Sequence, residues 1–92
     1  MAKYVYTVDE INISNVKECL PFTLNDYRST VFEKLEDAKD YLVHLKNEWK
    51  HEYKLDEDDI TDHHGCYIFI NHSAIEARNC YLEAEINEKV MN

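Results

Sequence analysis

The chain has 92 residues, of which 45% are hydrophobic and 32% charged, and this length and composition are typical of one globular domain rather than of a disordered segment. Nineteen acidic residues against ten basic ones give a formal net charge of −9, and such a field repels nucleic-acid phosphates and anionic lipids. We therefore expect a single domain over residues 1–92 that binds neither nucleic acid nor membranes directly.

The amino-terminal segment has no long apolar stretch, and no run of about 18 apolar residues that would cross a membrane occurs along the sequence. We therefore expect a cytoplasmic protein. Its three cysteines, Cys19, Cys66 and Cys80, have no Cys-x-x-Cys spacing. This odd number and spacing predict reduced, mostly buried thiols rather than disulfides or a zinc ribbon.

The first third of the chain predicts two short strands separated by an irregular segment. Residues Lys3–Asp9 are β-branched and aromatic with a period of two, which favours a strand. Asn12–Asp26 has no regular pattern and is predicted to be a loop with one helical turn, because Pro21 prevents a longer helix. Arg28–Phe32 then predicts the second strand.

A long amphipathic helix is predicted to begin at Leu35. Its apolar positions are spaced three, four, three and four residues apart, as one stripe of an α-helix requires. They are Leu35, Ala38, Leu42, Leu45 and Trp49. The residue before the helix, Lys34, is a poor N-cap because it offers no short side-chain oxygen to the free backbone N–H groups.

After the helix, four consecutive acidic residues, Asp56–Asp59, predict an acidic loop that extends to about His64 and ends at Gly65. Cys66–Ile70 is apolar on both alternations, which indicates a strand covered on one face by the helix and partly covered on the other.

The last segment allows two interpretations. Residues 80–86 alternate between apolar and polar side chains, which favours a half-buried strand with an acidic outer face. Ser73–Glu76 matches a helix capping box, and Leu82, Ile86 and Val90 recur every four residues, which favours a helix. We favour the strand because Tyr67–Ile70 needs a pairing partner. The predicted fold is therefore α+β, a small antiparallel sheet in the order β-β-α-β-β packed on one main α-helix.

Three segments in this order carry a resemblance to known proteins: Tyr4–Val8, Ser29–Leu42 and Tyr67–Ile70. The pattern looks like that of small, acidic accessory proteins of bacteriophages and mobile elements, some of which are anti-CRISPR or other anti-defence inhibitors. This resemblance implies a location in the host-cell cytoplasm and binding to a host defence protein. It assigns no functional residue.

Metal chemistry is weakly supported by the sequence. The two histidines of Asp62–His64 are adjacent, and neighbouring side chains in extended backbone point in opposite directions, so only one of them faces any given site. The spacing of the acidic residues in Asp56–Asp62 does not match that of a calcium-binding loop, because Ile60 occupies a position that needs an oxygen ligand. We predict no metal and no cofactor, and keep a histidine-dependent metal binder as the weaker alternative.

Catalysis is also weakly supported. Cys66 near His64 is the only local pair of a nucleophile and a base. Nothing in the sequence marks an oxyanion hole beside it, and a chain with one glycine has few sharp turns with which to build one. We therefore predict that the protein is not an enzyme and has no catalytic residue.

The leading hypothesis is a non-catalytic, acidic inhibitor that binds another protein. Carboxylates on a rigid scaffold can substitute for phosphates and occupy a basic surface that normally holds nucleic acid. With the resemblance, this predicts a host partner such as a CRISPR or other defence nuclease. The predicted protein-binding residues are Asp56, Glu57, Asp58, Asp59, Asp62, Glu76, Glu83, Glu85 and Tyr81.

Two further expectations concern surfaces. The tyrosines outnumber what one helix covers, so several are expected on the uncovered sheet face or the helix flank, where aromatic side chains either complete the core or form binding hot spots. The alternative function is a homodimeric interaction module, because a small domain gains stability by burying a further ~800 Å² per subunit. Crowding of like charge predicts that Asp58→Asn with Asp59→Ser leaves stability unchanged or raises it.

Overall fold

A computed structural model of the chain describes residues 3–14, 16 and 27–91. Five strands form one sheet in the order β2-β1-β5-β4-β3, and all four neighbouring pairs are antiparallel. The elements in chain order are β1 (Lys3–Ser14), β2 (Tyr27–Phe32), α1 (Leu35–Glu52), β3 (Ile60–His63), β4 (Tyr67–Ile70), α2 (His72–Arg78) and β5 (Cys80–Met91). The predicted class, an α+β fold with a small antiparallel sheet on one main helix, is confirmed.

The two longest strands, β1 and β5, lie at the centre of the sheet. Each has 12 residues, and they pair along their whole length, from Lys3 opposite Met91 to Ser14 opposite Cys80. The strand predicted over Lys3–Asp9 therefore continues through Ser14, because pairing with β5 supplies backbone partners there. Of the segment predicted as a loop, residues 12–14 belong to β1, and residues 15 and 17–26 lie outside the described residues.

The core lies between the sheet and α1. Four of the five predicted stripe residues are buried, with Leu42 only 1% and Trp49 only 2% exposed. They pack against the inner sheet face, on which Val8 and Leu82 are completely buried. Each such side chain contributes about 1.5–3 kcal/mol by leaving water. The fifth stripe residue, Leu35, is exposed because it lies in the first turn of the helix.

The ends of α1 follow local chemistry. Lys34 is the N-cap, and its side chain makes no capping hydrogen bond, as its residue type predicts. At the other end, the backbone N–H of Tyr53 donates to the carbonyl oxygen of Trp49 at 2.9 Å. Lys54 then adopts a left-handed backbone conformation with φ 55°, which prevents the helix from continuing.

Two elements are absent from the predicted order β-β-α-β-β. Ile60–His63, predicted as part of the acidic loop, forms β3, which pairs with β4 and is too short to show a periodic pattern. His72–Arg78 forms α2, which ends at Asn79 in the left-handed conformation. The strand interpretation of the last segment is confirmed by Cys80–Met91. The helix alternative holds only for Ser73–Glu76, which lies within α2; Leu82, Ile86 and Val90 belong to the strand. The element order becomes β-β-α-β-β-α-β.

The predicted pairing of Tyr67–Ile70 with the last strand is confirmed, because β4 lies beside β5 with Ile68 opposite Ala84. Cys66 and Cys80 are free thiols, and Cys80 is buried, whereas Cys19 lies outside the described residues. Within the described ranges, neither helix combines the length and apolar character needed to cross a bilayer.

Candidate functional site

The acidic loop, defined here as Asp56–Asp62, is partly neutralised by α1. Glu57 forms ion pairs with Lys46, at 2.7 Å, and with Lys50. The hydrogen bonds and positive charges of these two lysines lower the pKa of Glu57 from 4.5 to about 2. Two of the lysines that alternate with acids along the helix are thus directed towards the loop. Asp62 also lies 3.9 Å from Nζ of Lys46, so two of the five loop carboxylates, Glu57 and Asp62, are already paired within the chain.

Other carboxylates of the acidic loop hold the backbone in place. The 3₁₀ turn Glu57–Asp59 is closed on itself, because Oδ2 of Asp59 accepts a hydrogen bond from the backbone N–H of Asp56 at 2.8 Å. Oδ1 of Asp62 accepts from the backbone N–H of Gly65, also at 2.8 Å, and stabilises the turn between β3 and β4. These carboxylates satisfy backbone donors that would otherwise lack a partner.

The remaining predicted acidic residues of this region are more exposed. The carboxylate of Asp58 forms no hydrogen bond or ion pair with another residue of the described ranges, although its backbone carbonyl accepts from Nδ2 of Asn71 at 2.6 Å. Glu76 lies on α2 and forms an exposed pair with His72 at 3.0 Å. The acidic loop therefore offers Asp58 as its one carboxylate without a partner among these residues.

A second group of predicted residues lies on the outer face of the sheet, which we define as the face away from α1. In β5, Tyr81, Glu83 and Glu85 alternate with the buried residues Leu82 and Ala84. Side chains alternate between the two faces of a strand, so these three residues share the outer face. None of them is beside the acidic loop carboxylates that pair with α1.

The register of β4 against β5 places aromatic rings beside Glu83 and Glu85. In β4, Phe69 lies opposite Glu83 and Tyr67 lies opposite Glu85. In β3, His63 lies opposite Tyr67, so its ring joins the same face. We name this surface the aromatic–acidic patch; its residues are His63, Tyr67, Phe69, Tyr81, Glu83 and Glu85.

The rings of the aromatic–acidic patch contact one another. The centroids of Tyr67 and Phe69 are 5.1 Å apart in an edge-on arrangement, and the ring of His63 stacks on Phe69 at 5.8 Å. Offset or edge-on pairs at these distances contribute about 0.5–1.5 kcal/mol beyond their buried area. The rings are therefore held as a preorganised group, although His63 itself is exposed.

Hydrogen bonds tie the tyrosines to the acids of the patch. The hydroxyl of Tyr81 donates to Oε2 of Glu83. Burial, together with the hydrogen bond and charge of Glu83, raises the pKa of Tyr81, and the same causes raise the pKa of Tyr67. Both tyrosines thus stay protonated and neutral, and the negative charge of the patch resides on its glutamates.

The other half of the outer face is organised around Asp9. Its two carboxylate oxygens accept hydrogen bonds from Ser29 at 2.6 Å and from Asn87 at 2.5 Å. Partial burial acts to raise the pKa of Asp9. Hydrogen bonds from Ser29, Asn87, Tyr27 and Thr7 outweigh this effect, so the pKa of Asp9 is lowered. Asp9 is therefore an internally satisfied carboxylate that links β1 to both neighbouring strands.

The described residues contain no cluster of side chains suited to a metal ion. Among residues 3–14, 16 and 27–91, no three His, Cys, Asp or Glu side chains are placed to hold a metal ion. His63 lies on β3, whereas the next residue, His64, adopts a left-handed turn conformation with φ 56°. Burial raises the pKa of the Cys80 thiol, which disfavours the nucleophilic thiolate.

The predicted site residues thus occupy separate surfaces: the acidic loop, the exposed side of α2 and the aromatic–acidic patch. The sequence analysis missed His63, Tyr67 and Phe69 as members of a site with Tyr81, Glu83 and Glu85. Their alternation within each strand was visible, but contact between them depends on the register of β3, β4 and β5. The expected exposure of tyrosines on the uncovered sheet face holds in part, because Tyr67 and Tyr81 are half-buried there.

No protein-family model, curated protein or solved structure matches the chain.

Proposed function

We propose that the protein is a non-catalytic, acidic protein-binding domain whose aromatic–acidic patch docks onto a basic surface of a partner protein. The observation that carries the proposal is the contact of three aromatic rings with one another beside two glutamates on a single sheet face. Aromatic rings supply apolar contact area and attract cations over their faces, and the glutamates pair with arginine or lysine.

The charge of the whole chain and the charge of the patch both support this proposal. The whole chain carries a formal charge of −9, which accelerates its encounter with a basic partner. Within the patch, Glu83 and Glu85 have no lysine or arginine partner in the described part of the chain, in contrast to Glu57 in the acidic loop. Their charge is therefore available to a partner.

The finer proposal is an inhibitor that occupies a surface normally holding nucleic acid. Carboxylates spaced along a rigid strand, such as Glu83 and Glu85, can substitute for backbone phosphates on a row of arginines or lysines. The resemblance to phage and mobile-element accessory proteins supports a host defence protein, such as a CRISPR nuclease, as the target. The protein would act in the host cytoplasm by competing with the nucleic acid.

The test is affinity capture of partners from a host lysate, quantified by mass spectrometry, with wild-type protein and the double variant Glu83→Lys with Glu85→Lys. We expect one basic nucleic-acid-binding protein to be captured in stoichiometric amounts and the double variant to lose it. Binding of the purified partner should weaken by at least tenfold, about 1.4 kcal/mol, and should also fall steeply as salt increases.

The matched control is Asp58→Lys, which reverses an exposed charge on the acidic loop instead of on the patch. We expect this variant to retain the partner. Equal loss in both variants would show that only net charge matters, and binding that is independent of salt would exclude phosphate mimicry. Failure of the protein to displace nucleic acid from the captured partner would exclude the inhibitor proposal.

A homodimeric module is the second candidate function, and one observation favours it. Tyr4 and Val90 are cross-strand partners at the end of the β1–β5 pair, and they are 52% and 53% exposed. The neighbouring Met91 is 54% exposed. Sedimentation at micromolar concentration tests this candidate, since a strict monomer excludes it and Tyr4→Glu should dissociate a dimer.

A further inference from the structure

A cavity of about 350 Å³ lies between α1 and the inner face of the β1–β2 pair. It is separate from the aromatic–acidic patch, which lies on the outer face. Its volume is within the range of small-molecule binding sites, which are typically about 300–1,000 Å³. Its described lining includes three carboxylates and one guanidinium, so this part of the lining carries an excess of negative charge.

The innermost of these carboxylates belongs to Glu10, which is only 7% exposed. Oε2 of Glu10 accepts a hydrogen bond from the hydroxyl of Tyr41 at 3.2 Å. Among the described residues, Oε1 of Glu10 has no hydrogen-bond donor and no ion-pair partner. Since these residues contain no fully buried side-chain oxygen without a partner, Oε1 retains access to the open space of the cavity.

A buried carboxylate with one neutral donor is electrostatically incomplete. Transfer of a carboxylate out of water is costly unless a cation or several donors compensate. Arg28 is the cross-strand partner of Glu10 and also lines the cavity, but its guanidinium does not come within 4.0 Å of that carboxylate and is exposed. The position beside Oε1 of Glu10 is therefore suited to a ligand cation.

Helix α1 supplies two further carboxylates, Glu48 and Glu52, which are one turn apart and exposed at the rim. Glu48 pairs with His44 at 3.1 Å, whereas Glu52 forms no hydrogen bond or ion pair with any residue of the described ranges. Between the rim and Glu10, the half-buried ring of Tyr41 provides aromatic surface, whereas Trp49 lines the cavity but is only 2% exposed. The described lining thus offers anionic positions at two depths, with the ring of Tyr41 beside the inner one.

We propose that this cavity binds an aliphatic diamine or polyamine, with one ammonium group at Glu10 and a second at Glu52. Ammonium groups form charge-assisted hydrogen bonds with carboxylates and are attracted to aromatic faces. The alkyl chain between them packs against the ring of Tyr41, which removes apolar surface from water. This binding does not depend on the proposed docking function, because it uses the opposite face of the sheet.

Trp49 is the only tryptophan in the chain and lines the cavity, so its fluorescence reports occupancy directly. Titration with putrescine and with spermidine, at constant ionic strength, should produce a saturable change with half-saturation below about 1 mM. Butylamine, which has one ammonium group, should bind at least about tenfold more weakly. Glu10→Gln keeps an acceptor for Tyr41 but removes the charge, and it should weaken spermidine binding by about tenfold or more.

The matched control is Glu36→Gln, which removes one charge from the exposed first turn of α1, away from the cavity. We expect its spermidine affinity to change less than about twofold, which is about 0.4 kcal/mol. If Glu10→Gln does not fold, as judged by circular dichroism, the exposed substitution Glu52→Gln decides the question alone. A fluorescence change that does not saturate, or equal weakening in the Glu36→Gln control, would overturn the proposal.

Discussion

The acidic loop and the aromatic–acidic patch are both acidic, but the chain uses their charges differently. In the loop, Glu57 is paired with Lys46 and Lys50, and Asp62 accepts a backbone hydrogen bond from Gly65. In the patch, glutamates of β5 lie beside stacked rings with no lysine or arginine partner among the described residues. A dense run of acids in the sequence can therefore serve the fold, while fewer acids spaced along a strand stay available to a partner.

The difference has a geometric cause. A loop that follows directly after a helix returns over the last turns of that helix, so its carboxylates meet lysines of α1 and the free N–H groups of its own turn. Alternate residues of a strand point away from the core, and on this face they meet only the side chains of neighbouring strands.

The largest expected effect is a difference in stability between substitutions on the two faces of β4. Ile68 is 1% exposed and belongs to the core, whereas the next residue, Phe69, lies on the outer face. Ile68→Ala should lower the free energy of unfolding by about 2–5 kcal/mol, because it leaves a cavity in the core. Phe69→Ala should cost no more than about half as much, as measured by urea unfolding. If both variants lost the same free energy of unfolding, Phe69 would be needed chiefly for folding. The outer face would then resemble the acidic loop, whose carboxylates serve the fold.

A smaller effect separates two neighbours in the acidic loop. Asp59→Ala removes the acceptor for the backbone N–H of Asp56 and should cost about 1 kcal/mol. Asp58→Ala removes an exposed carboxylate and should change stability by no more than about 0.5 kcal/mol. The sequence-based expectation treated both positions as sources of repulsion alone, and thermal unfolding of the two single variants tests the separation. If Asp59→Ala raised the melting temperature, the expectation that Asp59 only adds repulsion would hold instead.

The smallest effect is the pH dependence contributed by Glu57. Its pKa falls from 4.5 to about 2 in the folded state, so its carboxylate adds stability above its ordinary pKa, and this stability is lost as pH decreases from 4.5 towards about 2. The effect is small because the pair is exposed and screened by salt. Glu57→Gln should make the melting temperature depend less on pH between 4.5 and about 2, whereas Asp58→Asn should leave this pH dependence unchanged. Parallel profiles for wild type and Glu57→Gln would show that the lysine pairs do not persist in solution.

The fold was largely predictable where a pattern is long enough to repeat. The stripe from Ala38 to Trp49 and the alternation in Cys80–Ile86 are both set by burial against one core, and the structure confirms the helix and the strand. β3 and α2 were missed because each is shorter than the window over which periodicity can be recognised. A four-residue strand that contains Asp62 and His63 is stable only because β4 lies beside it.

Four properties of this protein can be read from the residues alone: the net charge, the α+β class, the long helix and the alternation that places Glu83 and Glu85 on one face of their strand. These are local properties, since each depends on residue type and on the period of a single element. Three contacts appear only once the chain is folded: Glu57 meets two lysines, Phe69 lies opposite Glu83, and Glu10 faces a cavity under α1. Strand register and helix packing set these contacts, and the residues involved are distant in sequence, so no local pattern encodes them.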